Sequence, residues 1–254
     1  MDQRRAIIRL HGELNDFLQP DDRHRDLRVL MQDTPSVKDA IESMNVPHVE
    51  VGLILIDGRP AGFEETLHGD ERVEVYPLSD TPDTADAPAL RPQEPSPPRF
   101  IADVHLKKLA RDLRLLGFDT TYADKDHHHD PLIAAQAADD DRIALTRDVG
   151  LLKRKIVQHG RWVRATVPNQ QIVEIMDRYG LAPLAEPFKR CLVCNGLLKQ
   201  TTAEEVEGEA PAELLESDCD FHRCQSCRRV FWPGSHHDRL VARVERLLKE
   251  AARP

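Results

Sequence analysis

Three aspartates and four cysteines are the side chains of this 254-residue chain whose type and spacing could do chemistry. Asp103 follows the apolar run 100–102, Asp148 follows the run 143–146, and Asp130 opens the string Asp130-Pro131-Leu132-Ile133-Ala134-Ala135. Carboxylates brought together repel one another unless a cation lies between them, and hard oxygen donors suit Mg²⁺ or Mn²⁺. Such ions activate water and stabilise the leaving oxygen in phosphodiester hydrolysis. A plainer role is open to each: Asp130 before Pro131 reads as a helix N-cap, and Asp103 and Asp148 as caps of the helices that follow them. The cysteines Cys191-x-x-Cys194 and Cys224-x-x-Cys227 form two knuckles of the kind that hold Zn²⁺ by four thiolates, a closed structural site with no open position. Cys219 stands apart as a bystander thiol, and an odd count of five argues against a disulfide framework.

Basic side chains accompany the acids. Lys107, Arg111 and Arg114 recur at i, i+4 and i+7, Arg147 precedes Asp148, and Lys153 leads a run of cations after it. A charge stripe is ordinarily a solvated helix face, but because both helices start at candidate ligands, these residues form a phosphate track toward the site. The run His127-His128-His129 is a solvated loop, because adjacent residues cannot all face one ion, and Asp139-Asp140-Asp141 is a solvated turn. Asp119, Asp124 and Asp126 are weaker acid candidates. Phe231, Trp232, His236, His237 and Arg239 are placed either to touch RNA bases or to pack the ribbon.

Positioning these groups requires a scaffold. From residue 99 onward, strand and helix patterns alternate: strand 100–102, helix 106–116 closed by Gly117, strand 118–122, helix 132–138, strand 143–146, helix 151–157, strand 162–167 and helix 172–179. This alternation predicts a parallel sheet with flanking helices, with ligands beyond the carboxyl ends of the strands. Upstream, strands at 6–10 and 27–31 precede a helix begun by Thr34 and Pro35, then a strand at 51–56, an Asp57-Gly58 hairpin and a strand at 72–76. Six prolines between 81 and 98 mark a semi-rigid linker. The expected organisation is a module at 1–80, a linker at 81–98, an α/β domain at 99–185, and a ribbon with a C-terminal helix at 186–254.

The ββαββ order and the run LILIDGRPAGFEETLHGDERVEVYPL resemble the ubiquitin-like β-grasp proteins of the sulfur-carrier type. Those carriers act through a free terminal Gly-Gly, whereas here Tyr76-Pro77-Leu78 continues into the linker, so a docking or stabilising module is expected. Further on, FIADVHLKKLARDLRLLGFDT, DPLIAAQAADDDRIALTRDVGLL, RCLVCNGLL and CQSCRRVFWPGSHHDR together resemble the Mut-seven C-terminal RNase domain family, a PIN-like nuclease fold with a zinc ribbon. The resemblance implies that Asp103, Asp130 and Asp148 are the catalytic acids. It also implies a divalent-metal-dependent ribonuclease with Mg²⁺ or Mn²⁺ at the acids and Zn²⁺ in the ribbon. PIN nucleases usually add a fourth acid on an intervening helix, and the corresponding stretch here offers only Asp119, Asp124 and Asp126. That departure motivates the alternative, a non-catalytic RNA-binding or adaptor protein working through its ribbon and β-grasp domain.

A net charge of -9 argues at first sight against RNA, but it is unevenly spread. Residues 1–80 hold 17 acidic against 9 basic side chains, while residues 99–168 hold 13 basic against 10 acidic, so the region of the candidate site is mildly positive. RNA is therefore the expected partner, with a protein partner for the β-grasp domain. Charges through the first twenty residues and the shortness of every apolar run predict a cytoplasmic chain with no membrane association.

Overall fold

Period-2 alternation over residues 5–10 places Ala6, Ile8 and Leu10 on one face of a strand, and all three are buried in the computed structural model of the protein. The structure describes residues 4–30, 34–84, 86–122, 129–217, 219–234 and 237–251. In chain order the N-terminal elements are β1 (Arg5–Leu10), β2 (Asp26–Leu30), α1 (Val37–Ser43), β3 (Val51–Ile56), β4 (Arg59–Pro60) and β5 (Arg72–Pro77). Then come β6 (Phe100–Ala102), α2 (Lys107–Leu115), β7 (Thr120–Tyr122), α3 (Asp130–Asp139), β8 (Ile143–Thr146), α4 (Val149–Leu152), β9 (Gly160–Trp162) and α5 (Pro168–Arg178). The chain ends with β10 (Leu198–Thr201), α6 (Ala212–Leu215), β11 (Phe221–Cys224), β12 (Val230–Phe231) and α7 (His237–Ala251).

Two compact units result, and they do not follow chain order: one holds Met1–Glu94 and Asp148–Trp162, the other Pro95–Arg147 and Val163–Pro254. In the first, the sheet runs β2-β1-β5-β3-β4, with β1 parallel to β5 and the other pairs antiparallel. That is the β-grasp topology, with α1 laid across it through Val37, Ala40 and Ile41. Asp57 (φ 49°) and Gly58 (φ 78°) take the left-handed pair of conformations that a two-residue hairpin demands. The helix starts later than Thr34-Pro35 suggested: Ser36 is the N-cap, its Oγ accepting from the Asp39 N–H at 3.1 Å. Within the proline-rich stretch, Leu90 packs on the β-grasp core and Arg91 donates to the Val51 carbonyl at 2.7 Å, so that part lies along the first unit.

In the second unit, β6 pairs in parallel with both β7 and β8. Phe100, Ala102, Ile143 and Leu145 join Leu109 and Leu113 of α2, Ile172 and Ile175 of α5 and Val244 and Leu247 of α7 in one core. Docking of α7 through Leu240, Val244, Leu247 and Leu248 follows its apolar spacing. Gly117, at φ 96°, ends α2 in a conformation disfavoured for any side chain, and a Cβ there would stand 2.2 Å from the Glu186 carbonyl.

Two expected elements are displaced. The helix after Asp148 stops at Leu152 rather than running to 157. The β-branched Ile156 and Val157 give it little support, and the Val157 carbonyl is turned toward His48 Nε2 at 3.0 Å. The strand expected at 162–167 is instead β9 at Gly160–Trp162. Beyond it, side chains take the backbone groups a ladder would use: Arg147 Nη1 donates to the carbonyls of Val163, Arg164 and Ala165 at 2.7–2.8 Å, and Glu174 accepts from the N–H groups of Arg164 and Ala165 at 3.0 and 2.9 Å.

Candidate functional site

Asp103 stands at the carboxyl end of the buried strand β6, where its N–H donates to the Leu145 carbonyl of β8 at 3.0 Å. It is only 5% exposed. One carboxylate oxygen accepts from the His105 N–H at 2.8 Å, and the other accepts from the Thr146 hydroxyl and, at 3.2 Å, from the Arg147 N–H. The side chain therefore caps the turn at Val104–Leu106, as a structural reading of the sequence allowed, and is also locked in one orientation by the end of β8. Thr146, which contributes to this orientation, could have been found in the sequence only as the first letter of the Thr146-Arg147-Asp148 string.

Asp130 is the first residue of α3 rather than its N-cap, which is His129. Without a side-chain cap, the acid placed in the first turn still complements the exposed N–H groups and the helix dipole. Asp148, the residue after Arg147, caps α4, its Oδ1 accepting from the Gly150 N–H at 2.7 Å, and it is exposed. Asp103 and Asp130 lie in the second compact unit and Asp148 in the first. Asp124, Asp126, His127, His128 and His236 lie outside the described residues.

The basic residues divide. Lys107 and Arg111 are exposed on α2, as a solvent-facing track requires. Arg114 is a correction: it is 8% exposed, and its guanidinium donates to the Thr120 carbonyl at 2.8 Å and the Val193 carbonyl at 3.0 Å. Burial pulls this guanidinium below its usual range, and the thiols of Cys194 and Cys191 act in the opposite sense. Arg147 is engaged with the three carbonyls of residues 163–165, and Lys153 Nζ donates to the Glu42 carbonyl at 2.8 Å and Asn45 Oδ1 at 3.1 Å within the first unit. These three cations satisfy backbone carbonyls, groups whose demand is invisible in a charge pattern.

Asp119, whose facing was open in the sequence, turns inward onto Arg142 at 2.6 Å, Asn195 Nδ2 at 2.8 Å and Arg190 at 3.4 Å. Burial alone would raise its pKa, but the hydrogen bonds from Arg142 and Asn195 outweigh it, and the carboxyl is held below the usual range. Asn195 also accepts from the Thr120 N–H at 3.0 Å, so β7 is tied to the first cysteine knuckle.

The cysteines are brought together. Cys191, Cys194, Cys224 and Cys227 form, among the described residues, the group of three or more ligand-type side chains whose donor atoms lie within 4.8 Å of one another. Their Sγ atoms are 3.8 Å apart for Cys191 and Cys227 and 3.4 Å for Cys194 and Cys224. A tetrahedron with Zn–S bonds of about 2.3 Å has edges of about 3.8 Å, so the donor set fits a tetrahedral thiophilic ion. Without a cation, burial pushes the Cys191 thiol up to about 12. The knuckle turn closes through Asn195 (φ 72°) and Gly196, where a Cβ would come within 2.9 Å of Cys224 Sγ. Strands β10, β11 and β12 form the antiparallel ribbon, and Cys219 lies outside the cluster. Between the knuckles, the stretch that carries Glu204, Glu205, Glu207 and Glu209 folds back on the ribbon: Val206 is fully buried and Glu209 pairs with Arg223 at 2.8 Å. His237 packs on Phe188, with centroids 5.1 Å apart, which favours packing over base contact there.

A parallel α/β domain, a four-cysteine ribbon consistent with a zinc ribbon and a ubiquitin-like module define the class of protein. The Mut7-C RNAse domain family model matches residues 98–244 and the Mut7-C ubiquitin model residues 3–83. The chain belongs to the Mut7-C RNAse domain family. Membership indicates a nuclease-type function with RNA as the implied substrate, and a ubiquitin-like module is compatible with a protein partner. No curated protein and no solved structure matched the chain. Among the described residues no helix is long and apolar enough to cross a membrane.

Proposed function

We propose that the protein is a divalent-metal-dependent ribonuclease that hydrolyses RNA phosphodiester bonds, with Asp103, Asp130 and Asp148 as its catalytic acids. The observation that carries this reading is Asp103: a carboxylate almost wholly withdrawn from water at the carboxyl end of a parallel sheet, where α/β folds bind ligands, in a chain of an RNase family. Its orientation by Thr146, Arg147 and His105 is the preorganisation that a metal ligand needs. The donors are hard oxygens and so fit Mg²⁺ or Mn²⁺, which when bound supplies Lewis acidity and lowers the pKa of water. Asp103 would present its fixed oxygens to the ion, Asp130 and Asp148 would complete the negative charge that attracts it, and exposed Lys107 and Arg111 would hold the RNA phosphates. Zn²⁺ is the proposed occupant of the four thiols, with a structural role, since four ligands leave no open position. Unpaired thiols in this arrangement suit a reducing compartment, for which we propose the cytoplasm.

The test is cleavage of single-stranded and structured RNAs with and without Mn²⁺. Asp103→Asn and Asp148→Asn are each expected to lower the metal-dependent rate by about 100-fold or more, since even supporting residues of metal sites are worth about 10- to 100-fold. Undiminished cleavage by both variants would sink the assignment. The second reading, an RNA-binding adaptor, is motivated by the acid set: Asp119, a candidate for a fourth acid, is engaged by Arg142, Asn195 and Arg190. Binding without metal-dependent cleavage would select it.

A further inference from the structure

Residues 148–162, although they follow β8 in the α/β region of the sequence, are held by the ubiquitin-like module at successive points. Lys153 Nζ donates to the carbonyl of Glu42 near the end of α1. Four residues on, the Val157 carbonyl meets Nε2 of the buried His48, whose Nδ1 lies 2.8 Å from Glu42 Oε1. Arg161 is then gripped by two carboxylates: Glu13 in bidentate fashion at 2.6 and 2.7 Å, and Glu50 at 3.0 Å. Glu50 is 1% exposed, and its second oxygen accepts from the Trp162 N–H at 2.6 Å. The Trp162 ring packs on Phe17 with centroids 4.9 Å apart. A carboxylate as withdrawn from water as Glu50, beside the half-buried Glu13, is stabilised by a cation between them, and Arg161 is the cation these contacts supply. Glu13 lies 148 positions before Arg161 and Glu50 111 positions before it, so no local preference brings them together.

We propose that the ubiquitin-like module is a built-in positioning element, which holds the segment that begins with Asp148 through a Glu13–Arg161–Glu50 clamp. This rests on the reading of Asp148 as a catalytic acid. Asp148 itself is exposed and caps a helix of only four residues, so its own turn does little to fix it. The contacts made by Lys153, Val157 and Arg161 add rigidity to the segment that carries it, and a misplacement of about 1 Å at a reacting group is enough to lower a rate about 100-fold. Arg161, Glu13 and Glu50 are positioning residues in this scheme, and the module's acidity, which counts against RNA binding, supplies the two carboxylates of the clamp.

The experiment uses full-length protein with Glu50→Gln and, because a buried change can prevent folding, Glu13→Gln as a milder partner. Amide hydrogen exchange is followed at Trp162 and residues 149–152, with Ile101 of β6 as the internal reference, alongside Mn²⁺-dependent RNA cleavage. The expected result is exchange at Trp162 faster by about tenfold or more in Glu50→Gln with Ile101 unchanged. With it should come a kcat lower by about 10- to 100-fold, a KM for RNA that stays put, and a higher Mn²⁺ requirement. Unchanged exchange in both variants overturns the clamp. Faster exchange with wild-type kcat and wild-type Mn²⁺ requirement overturns the positioning role. If the wild-type protein cleaves no RNA, the nuclease reading fails and takes the catalytic consequence with it, whereas the exchange data still report separately on the clamp.

Discussion

Arg111 and Arg114 lie on the same helix three residues apart, and the structure assigns them opposite work, which two substitutions can separate. Arg114→Met removes two well-formed hydrogen bonds from a charged donor, to the Thr120 carbonyl at 2.8 Å and the Val193 carbonyl at 3.0 Å. Each is worth about 1.5–3 kcal/mol. Part of that loss is recovered, because burial already disfavours this guanidinium and a methionine stem fills most of its volume. A net destabilisation of about 3 kcal/mol follows, which for a chain of this size lowers Tm by about 6–12 °C. The effect should be larger with the metal bound, because Zn²⁺ with four thiolates carries a formal charge of about -2 that the neighbouring guanidinium offsets. Arg111→Ala, on an exposed side chain, should change Tm by less than about 2 °C, yet it should reduce the slope of log K against log salt for single-stranded RNA by about 0.7, the signature of one lost phosphate contact. The assay is calorimetric unfolding together with RNA binding from about 50 to 200 mM salt without Mn²⁺. A smaller salt slope and an unaltered Tm in Arg114→Met would refute the argument, since that is how a phosphate contact behaves.

Two further outcomes follow from the ribbon and the Asp119 network. Cys191→Ser should lower zinc content from one ion per chain toward none and collapse the ribbon, since a thiophilic site with three thiolates holds the ion far less tightly. Unchanged metal content and stability, by elemental analysis and thermal melts, would exclude a four-thiolate site. Asp119 has a depressed folded pKa, so its contribution is fully present above the unfolded value of about 4 and is lost as pH falls through the lower folded value. In urea titrations Asp119→Asn should therefore be less stable than wild type by about 1–3 kcal/mol at pH 6, with the gap closing below pH 4. A gap independent of pH would show that the charge of Asp119 is not what matters.

Much of the architecture was legible locally. Strands β1, β3, β6 and β8 lie where period-2 and fully apolar runs place them, and the Asp57-Gly58 hairpin and the two cysteine knuckles follow from turn chemistry and ligand spacing. Elements whose ends are decided by distant groups were less legible. The expected helix at 151–157 shrank to α4 and the strand at 162–167 moved to β9, because His48, Arg147 and Glu174 claim the intervening backbone groups. The capping of α1 by Ser36 rather than Thr34 is a smaller case, in which two hydroxyl residues on either side of Pro35 could each cap and register with the 63–65 segment favoured the later one.

For this protein, then, residue type and spacing determine the β-grasp and α/β elements, the four-thiolate ribbon and the candidate acids, because these depend on side-chain periodicity, turn geometry and ligand chemistry within a short stretch of chain. Tertiary structure alone decides which charges are free. Arg114, Arg147 and Lys153 look alike to Lys107 and Arg111 as letters, but buried carbonyls elsewhere in the fold must be satisfied, and the nearest long cations are drawn inward to do it. The same physics places residues 148–162 with the N-terminal module: Glu50, withdrawn from water, requires a cation, Glu13 adds a second carboxylate beside it, and Arg161 is within their reach only once the chain has folded.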